Sequence, residues 1–429
     1  MEATLLQEDI LKTVPEDCPE HKPLKVQELG VRQELIEDLA LKTLYLSGPF
    51  SVLELARLTR LSFDVAYAIF ERLRAETLCH VSRMTGNIPI LAITNSGRAR
   101  ASELLAQCQY AGAAPVSLKS YVDQVRKQSV RNVAVGPNEV ERAFRHLVID
   151  SRQMRAFGTA LNSGSSIFLY GPPGSGKTTI AATLSRVLAD NEIWIPYAVD
   201  VDGQIITVFD PSIHVCVERP ASKSWDERWV RCHRPAVQVG GELTIDMLDL
   251  QFNPLSRFYV GPVQMKANNG VLIIDDFGRQ RISPTDLLNR WIVPLDRRID
   301  FLTLSGGMKI EVPFEMLVVF ASNMDPNQLL DGAFLRRMQT KIRIGAVSDG
   351  QFSEIFRRVA GERQIDFNPA LVRETINFIR NVLNMDLRAC YPRDIVNQIC
   401  WAAKYDGKRP VLDQESTLRA MEAFFLPGN

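Results

Sequence analysis

One stretch constrains this chain more than any other: Phe168-Leu-Tyr-Gly-Pro-Pro-Gly-Ser-Gly-Lys-Thr-Thr179. A short apolar strand, Ser166 to Tyr170, runs into a glycine-rich loop, and the loop opens a helix from Lys177 to Leu188. The spacing Gly171-x-x-x-x-Gly176-Lys177-Thr178 is that of a phosphate-binding P-loop. Each residue type has a physical task. Glycines at 171, 174 and 176 let successive backbone N–H groups curl into a concave nest with no Cβ in the way of a phosphate. Pro172, Pro173 and Ser175 complete the loop, and Thr179 follows in the first helical turn. The helix points its positive end at the nest. Lys177 is expected to reach the β and γ oxygens, and the Thr178 hydroxyl to complete a Mg²⁺ shell. The pattern implies a bound nucleoside triphosphate, with Mg²⁺ as its companion.

A second stretch supports it. Val271-Leu-Ile-Ile-Asp275-Asp276 reads as a buried strand ending in two carboxylates. A strand beside the P-loop can hold Asp275 against the metal, directly or through water. Asp276 is then placed to polarise an attacking water. Asp276-Phe277-Gly278 also imitates a kinase motif, but the His-Arg-Asp loop and Val-Ala-Ile-Lys strand that accompany it there are missing from this sequence.

Composition narrows the surroundings. At 429 residues the chain has room for two or three domains, and a formal net charge of zero gives it no global attraction to nucleic acid or anionic lipid. No apolar run reaches the length of a membrane span, and the start lacks the order of a secretion signal. Seven scattered cysteines without a Cys-x-x-Cys suit a reducing cytoplasm, the expected location. His214-x-Cys216 and Cys232-His233 offer four soft ligands, but the adjacent pair does not match common zinc spacings.

In chain order, residues 1–23 read as a flexible leader. Residues 24–108 predict three helices, a hairpin turning at Thr85-Gly86-Asn87, and a closing helix. That order resembles a winged helix-turn-helix domain. Its reading helix would begin Ser62-Phe-Asp-Val-Ala-Tyr67, mostly apolar with one acid and no base, whereas DNA-reading helices carry Arg, Lys, Asn or Gln there. The module holds ten Lys/Arg against nine Asp/Glu, so protein docking is favoured over DNA binding. Residues 109–136 read as a linker with one amphipathic helix, 137–348 as the nucleotide core with a long β-rich insertion at about 196–262, and 349–429 as a helical lid. For Trp225, Arg228, Trp229 and Arg231 within the insertion, hairpin packing is favoured over a binding surface.

Further along, Met316–Ser322 is an apolar strand ending at Asn323. Phe334-Leu-Arg336-Arg337-Met338 follows, and Tyr391-Pro-Arg393-Asp-Ile lies in the trailing helical region. In this order, and with the two nucleotide motifs before them, these features resemble the AAA+ ATPases across about residues 137–427. The resemblance implies an α/β P-loop core with a parallel sheet and a C-terminal helical lid. It also implies sensor 1 at Asn323, an arginine finger at Arg336 or Arg337 with Arg337 preferred, and sensor 2 at Arg393. A guanidinium offers planar charge to a phosphate losing its leaving group. A finger acting on a neighbouring subunit implies a homo-oligomeric ring, a hexamer by resemblance.

Arg290 to Pro313 reads as a helix and then a hairpin turning at Ser305-Gly306-Gly307. This resembles the hairpin inserted before sensor 1 in the branch of MoxR-like chaperones, magnesium-chelatase subunits and sigma-54 activators. Met247–Asn269 sits where that branch has its helix-2 insertion, with Phe258 and Tyr259 either facing a pore or packed. The Gly-Ala-Phe-Thr-Gly-Ala loop of sigma-54 activators is missing from this sequence, and Asp276 stands where most of the family has glutamate. The expectation is an ATP-hydrolysing motor that remodels or matures an unidentified partner protein in a chaperone-like way. The rivals are a DNA-directed AAA+ ATPase and a nucleotide-gated scaffold with little hydrolysis.

Overall fold

The computed structural model describes residues 22–217, 225–329 and 332–425. All but the last two residues of the expected leader, and the last residues of the expected lid, lie outside these ranges.

The first unit comprises α1 (Gln33–Ser47), β1 (Phe50–Ser51), α2 (Val52–Thr59), α3 (Phe63–Ala75), β2 (Cys79–Thr85), β3 (Ile88–Ile93) and α4 (Asn95–Gln107). Ser51, Ser62 and Thr94 each accept a hydrogen bond from the backbone N–H three residues on, which fixes where three of these helices start. The strands form a small antiparallel sheet in the order β1-β3-β2. Its hairpin turns at Gly86-Asn87, with Gly86 at a φ of 58°. Ile36, Leu55, Val65, Ile69, Phe70 and Leu91 meet in one core of their own.

The next segment does more than link. β4 (Val116–Ser117) and α5 (Leu118–Lys127) are built into the β-rich insertion rather than strung between domains. The reason is apolar: Val116, Tyr121 and Val125 share a core with Trp194, Ile206, Trp225 and Trp229. β4 pairs in parallel with the strand at Ala198–Val201, Val116 lying opposite Val199. Arg228, buried and clasped by Asp226, donates to the carbonyls of Leu29 and Pro115 and so ties the first unit to this one. Trp225, Arg228 and Trp229 are packing residues.

The nucleotide core begins with α6 (Pro137–Phe144), α7 (Ser151–Ser163), β5 (Ile167–Tyr170) and α8 (Lys177–Leu188). The insertion supplies β6 (Glu192–Pro196), β7 (Ala198–Val201), β8 (Gln204–Thr207) and β9 (Trp229–His233), before β10 (Ala236–Val239) returns to the core. After two short strands, β11 (Gln251–Phe252) and β12 (Tyr259–Val260), come β13 (Val271–Ile274), α9 (Pro284–Arg297), β14 (Ile299–Thr303), β15 (Lys309–Pro313) and β16 (Leu317–Ser322). α10 (Gly332–Arg337) and β17 (Thr340–Arg343) finish the core.

The core sheet is parallel throughout, in the order β10-β13-β16-β5-β17. Its three central strands are buried along nearly their whole length, as a sheet covered on both faces requires. Alternate residues divide between two cores. Phe168, Leu272, Ile274, Val318 and Phe320 pack against Trp291 of α9. Ile167, Leu169, Val271, Ile273 and Val319 pack against Phe144, Phe157, Ile180 and Leu184 of α6, α7 and α8. The hairpin β14–β15 turns through Gly306 and Gly307, both at positive φ, and buries Leu302, Ile310 and Val312 in the core of the insertion. Tyr259 is buried there too, its hydroxyl against Ser305, and Phe258 sets its edge on Tyr110. Both aromatics are used in packing.

The chain closes with α11 (Asp349–Glu362), α12 (Pro369–Asn377), α13 (Tyr391–Tyr405) and α14 (Gln414–Phe424), a helical unit with its own core around Phe352, Phe356, Ile379, Ile395 and Ile399. The core is an α/β fold on a five-strand parallel sheet followed by a helical lid, and no helix among the described residues is long and apolar enough to cross a membrane.

Candidate active site

Parallel α/β sheets hold their ligands outside the carboxyl ends of the strands. Here three strands deliver chemistry to that edge. β5 ends at Tyr170 and runs into the P-loop, β13 ends at Ile274 and delivers Asp275 and Asp276, and β16 ends at Ser322 and delivers Asn323. Because β16 lies between β5 and β13, Asn323 stands between the two nucleotide motifs.

The hydrogen bonds follow that order. Lys177 Nζ donates to Asn323 Oδ1 at 2.6 Å and to the carbonyls of Gly171 and Pro172 at 3.0 and 2.9 Å. Asn323 Nδ2 in turn donates to Asp276 Oδ1 at 3.2 Å. Thr178 Oγ1 donates to Asp275 Oδ1 at 3.0 Å, and Gln238 Nε2 of β10 donates to the other oxygen of that carboxylate at 3.1 Å. Burial lowers the Lys177 ammonium from its ordinary range, Asp276 and Asp275 oppose that, and Arg388 adds to it.

The loop has the form of a cradle. Gly171, Gly174 and Gly176 all have positive φ, which L side chains rarely adopt. A Cβ on Gly171 would lie 2.0 Å from the Ile344 carbonyl oxygen, whereas one on Gly176 would meet nothing within 4 Å, so the cradle is closed below and open at the helix head. The Ser175 hydroxyl is buried without a hydrogen-bond partner. A buried orphan hydroxyl beside an open, left-handed glycine at a helix N-terminus fits an anion. The Thr178–Asp275 pair, an alcohol against a carboxylate, is a hard oxygen set of the kind Mg²⁺ takes.

Asp276 has a φ of 48°. Aspartate is among the few residues other than glycine that visit this left-handed region routinely. The backbone here therefore suits aspartate better than the longer glutamate.

The lid meets the P-loop through Cys390, whose N–H donates to the Gly174 carbonyl at 3.1 Å. A Cβ on Gly174 would lie 2.5 Å from the Cys390 thiol and 3.7 Å from Arg388 Cδ. Arg388 is thus the lid arginine beside the loop, and its guanidinium lies over the Tyr391 ring, 5.7 Å from the centroid. Arg393 is exposed, and its nearest carboxylate is Asp394 at 4.0 Å. The structure does not bring Arg393 to the cluster. Arg388 lacked a sequence signal because it sits in the irregular segment before α13, where no periodicity or motif spacing applies; Gln238, on an alternating edge strand, lacked one too. A second lid contact runs through Arg358, which Glu354 grips and which donates to the carbonyls of Arg145 and Leu147.

The two finger candidates differ. Arg337 is paired with Asp296 of α9 at 2.8 Å, while Arg336 is exposed. The two histidines among the four soft ligands are engaged by backbone groups. His214 uses both ring nitrogens on backbone groups of Asp210 and Lys266, and His233 Nδ1 lies 2.9 Å from the Ala189 carbonyl. Among the described residues no three His, Cys, Asp or Glu are grouped to hold a metal.

Comparison with known proteins adds the following. Residues 143–194 match a family model described as magnesium chelatase, subunit ChlI, and residues 348–423 match a domain of unknown function, DUF8689. The first covers α7, β5, the P-loop and α8; the second is nearly the whole lid. No curated protein sequence matches the chain. Among solved structures, the RuvB Holliday junction branch migration motor of Thermotoga maritima is 15% identical, with 70% of this chain and 74% of that one covered and a TM-score of 0.38. NtrX from Brucella abortus in complex with ADP is 13% identical, with 70% and 56% covered and a TM-score of 0.38. Likenesses of this size leave the function to be argued from the chain's own residues.

Proposed function

We propose that the chain binds ATP with Mg²⁺ and hydrolyses it as a motor of the AAA+ type, working on a partner protein. The observation that carries this reading is the continuous cluster Thr178–Asp275 and Lys177–Asn323–Asp276, in which groups far apart in sequence share one strand edge.

In this reading the P-loop amides from Gly174 to Thr179 bind the phosphates, and Lys177 leaves its backbone carbonyls to neutralise them. Thr178 and Asp275 would hold Mg²⁺, which when bound draws charge from the phosphate oxygens. Asp276 accepts a proton from the attacking water, and Asn323 orients that carboxylate. Arg388 supplies positive charge from the lid, so that phosphate loss loosens the Cys390–Gly174 contact and turns chemistry into lid movement. Arg336 is the better placed of the two finger candidates to reach a neighbouring subunit, since Arg337 is engaged within its own chain. That role calls for a ring of copies.

Protein, rather than DNA, is favoured as the object of the work by the first unit. The head of α3 exposes Phe63 and Tyr67, stacked on each other. Arg57, Arg72, Arg74 and Arg100 are each paired with an acid of the same unit. Arginines paired in this way have less to offer phosphates.

The test is ATP turnover and nucleotide-dependent mass of the wild type and Arg336→Ala, separately and mixed. Turnover and assembly in the wild type, with turnover lost in Arg336→Ala despite retained nucleotide binding, supports the ring motor. A wild type that binds ATP and remains monomeric and inert at high concentration would instead support the scaffold.

A further inference from the structure

Cys216 and Cys232 lie outside the nucleotide cluster. They face each other as an isolated antiparallel bridge, Cys232 on β9 and Cys216 on the segment beside it. Val217 N–H donates to the Arg231 carbonyl and His233 N–H to the Val215 carbonyl, both at 3.0 Å. Those bonds flank the cysteines and make them a non-hydrogen-bonded pair, the type whose side chains approach most closely. Cα atoms in such pairs are about 4.5 Å apart, at the short end of the range that a disulfide spans. The Cys216 thiol lies beside its own segment, 4.0 Å from the His214 carbonyl oxygen. Cys216 is exposed and Cys232 is buried.

We infer that Cys216 and Cys232 form a redox-closable cross-strand pair, with Cys216 the attacking thiol and Cys232 the resolving one, whose disulfide would close the interval 217–231. The oxidant class is a small disulfide such as oxidised glutathione. The Cys216 thiolate attacks one sulfur of it, giving a mixed disulfide and one released thiolate. The Cys232 thiolate then attacks the Cys216 sulfur, forming the protein disulfide and expelling the second thiolate. The protein loses two hydrogens and the oxidant is reduced to two thiols. Burial pushes the Cys232 thiol up from its ordinary range, with Cys216 adding to the shift. The second step is therefore expected to be the slower and to quicken as pH rises.

A site of this kind also accounts for two of the four soft ligands. The two cysteines face each other across the bridge, while both flanking histidines are held by backbone groups.

The test treats the full reduced chain with oxidised glutathione, blocks remaining thiols with N-ethylmaleimide at timed intervals, and maps peptides without reduction. The expected result is a transient glutathione adduct on Cys216, followed by a peptide containing Cys216 linked to one containing Cys232, reversed by dithiothreitol. In Cys232→Ser the adduct persists, and in Cys216→Ser residue 232 stays unmodified. A stable adduct on Cys216 in the wild type, Cys232 linked to any other cysteine, or neither thiol reacting overturns the inference. The wild-type map decides the matter even where a variant folds poorly.

Discussion

The cleft at the carboxyl edge of the core sheet and the exposed face of α3 are built in opposite ways. The cleft gathers charged and amide side chains from three strands and binds them to one another before any ligand arrives. The face of α3 holds two stacked aromatics, with nearby arginines already neutralised. Preorganised polar groups act on a charge that must sit in one place. An apolar face sets area and shape and leaves the partner open. The first kind of surface reveals its chemistry; the second reveals only a class of partner.

The sharpest way to break this contrast is to remove a single group from each side. Lys177→Ala is expected to lower ATP turnover by about 10²–10³-fold, the usual cost of losing one donor to a developing charge, with fluorescent-nucleotide binding falling alongside. A variant retaining normal turnover would remove the premise. Within the lid, Arg388→Ala should cost roughly 10–100-fold, as expected for one hydrogen bond to a charged group, and Arg393→Ala much less. The reverse ranking, in the same turnover assay, would return the sensor role to Arg393.

A smaller effect concerns the left-handed backbone at Asp276. Asp276→Asn should unfold close to wild type in urea, and Asp276→Glu should be less stable by about 1 kcal/mol, because glutamate tolerates that conformation poorly. Equal stabilities would mean that the backbone does not explain the aspartate.

The Arg358 contact between α11 and the core yields a pH signature. Hydrogen bonds from Arg357 and then Arg358 hold the Glu354 carboxyl at about 2, below its ordinary 4.5. A carboxylate depressed on folding contributes stability that is present above 4.5 and lost as pH falls toward about 2. In melts across that window, wild type should lose more than Glu354→Gln, by a modest margin since the pair is exposed. The smallest expected effect is on the α3 face. Phe63→Ser with Tyr67→Ser should leave turnover unchanged and stability within about 0.5 kcal/mol, while abolishing capture of whatever protein docks there. A large loss of salt-sensitive DNA affinity in that double variant would move the face to the other class.

Much of the site was legible in sequence because the chemistry imposes local spacing. A phosphate nest needs glycines at set intervals, and a buried parallel strand needs an unbroken apolar run before its terminal acid, so Gly171–Thr179, Asp275, Asp276 and Asn323 could be named in advance. The residues that escaped, Arg388 and Gln238, lie on an irregular segment and on an edge strand, where the pattern carries no address. The segment 109–136 carries the expected helix, and its docking on the insertion escaped the sequence for the same reason. Its two-residue strand is too short to show a period, and what recruits it is the apolar core of an insertion that comes more than sixty residues later.

The sequence by itself determined that a glycine-rich loop with phosphate-cradle spacing follows one strand, that an acid pair follows another, and that residues 62–67 carry no base. These are properties of short segments, set by backbone freedom, alternation and charge. Only the tertiary structure decided which arginine of the lid stands beside the loop, which of two adjacent arginines is occupied by Asp296, and that Cys216 faces Cys232. Each of those depends on strand order and on which carbonyl or carboxylate is nearest in space, quantities that distance along the chain does not measure.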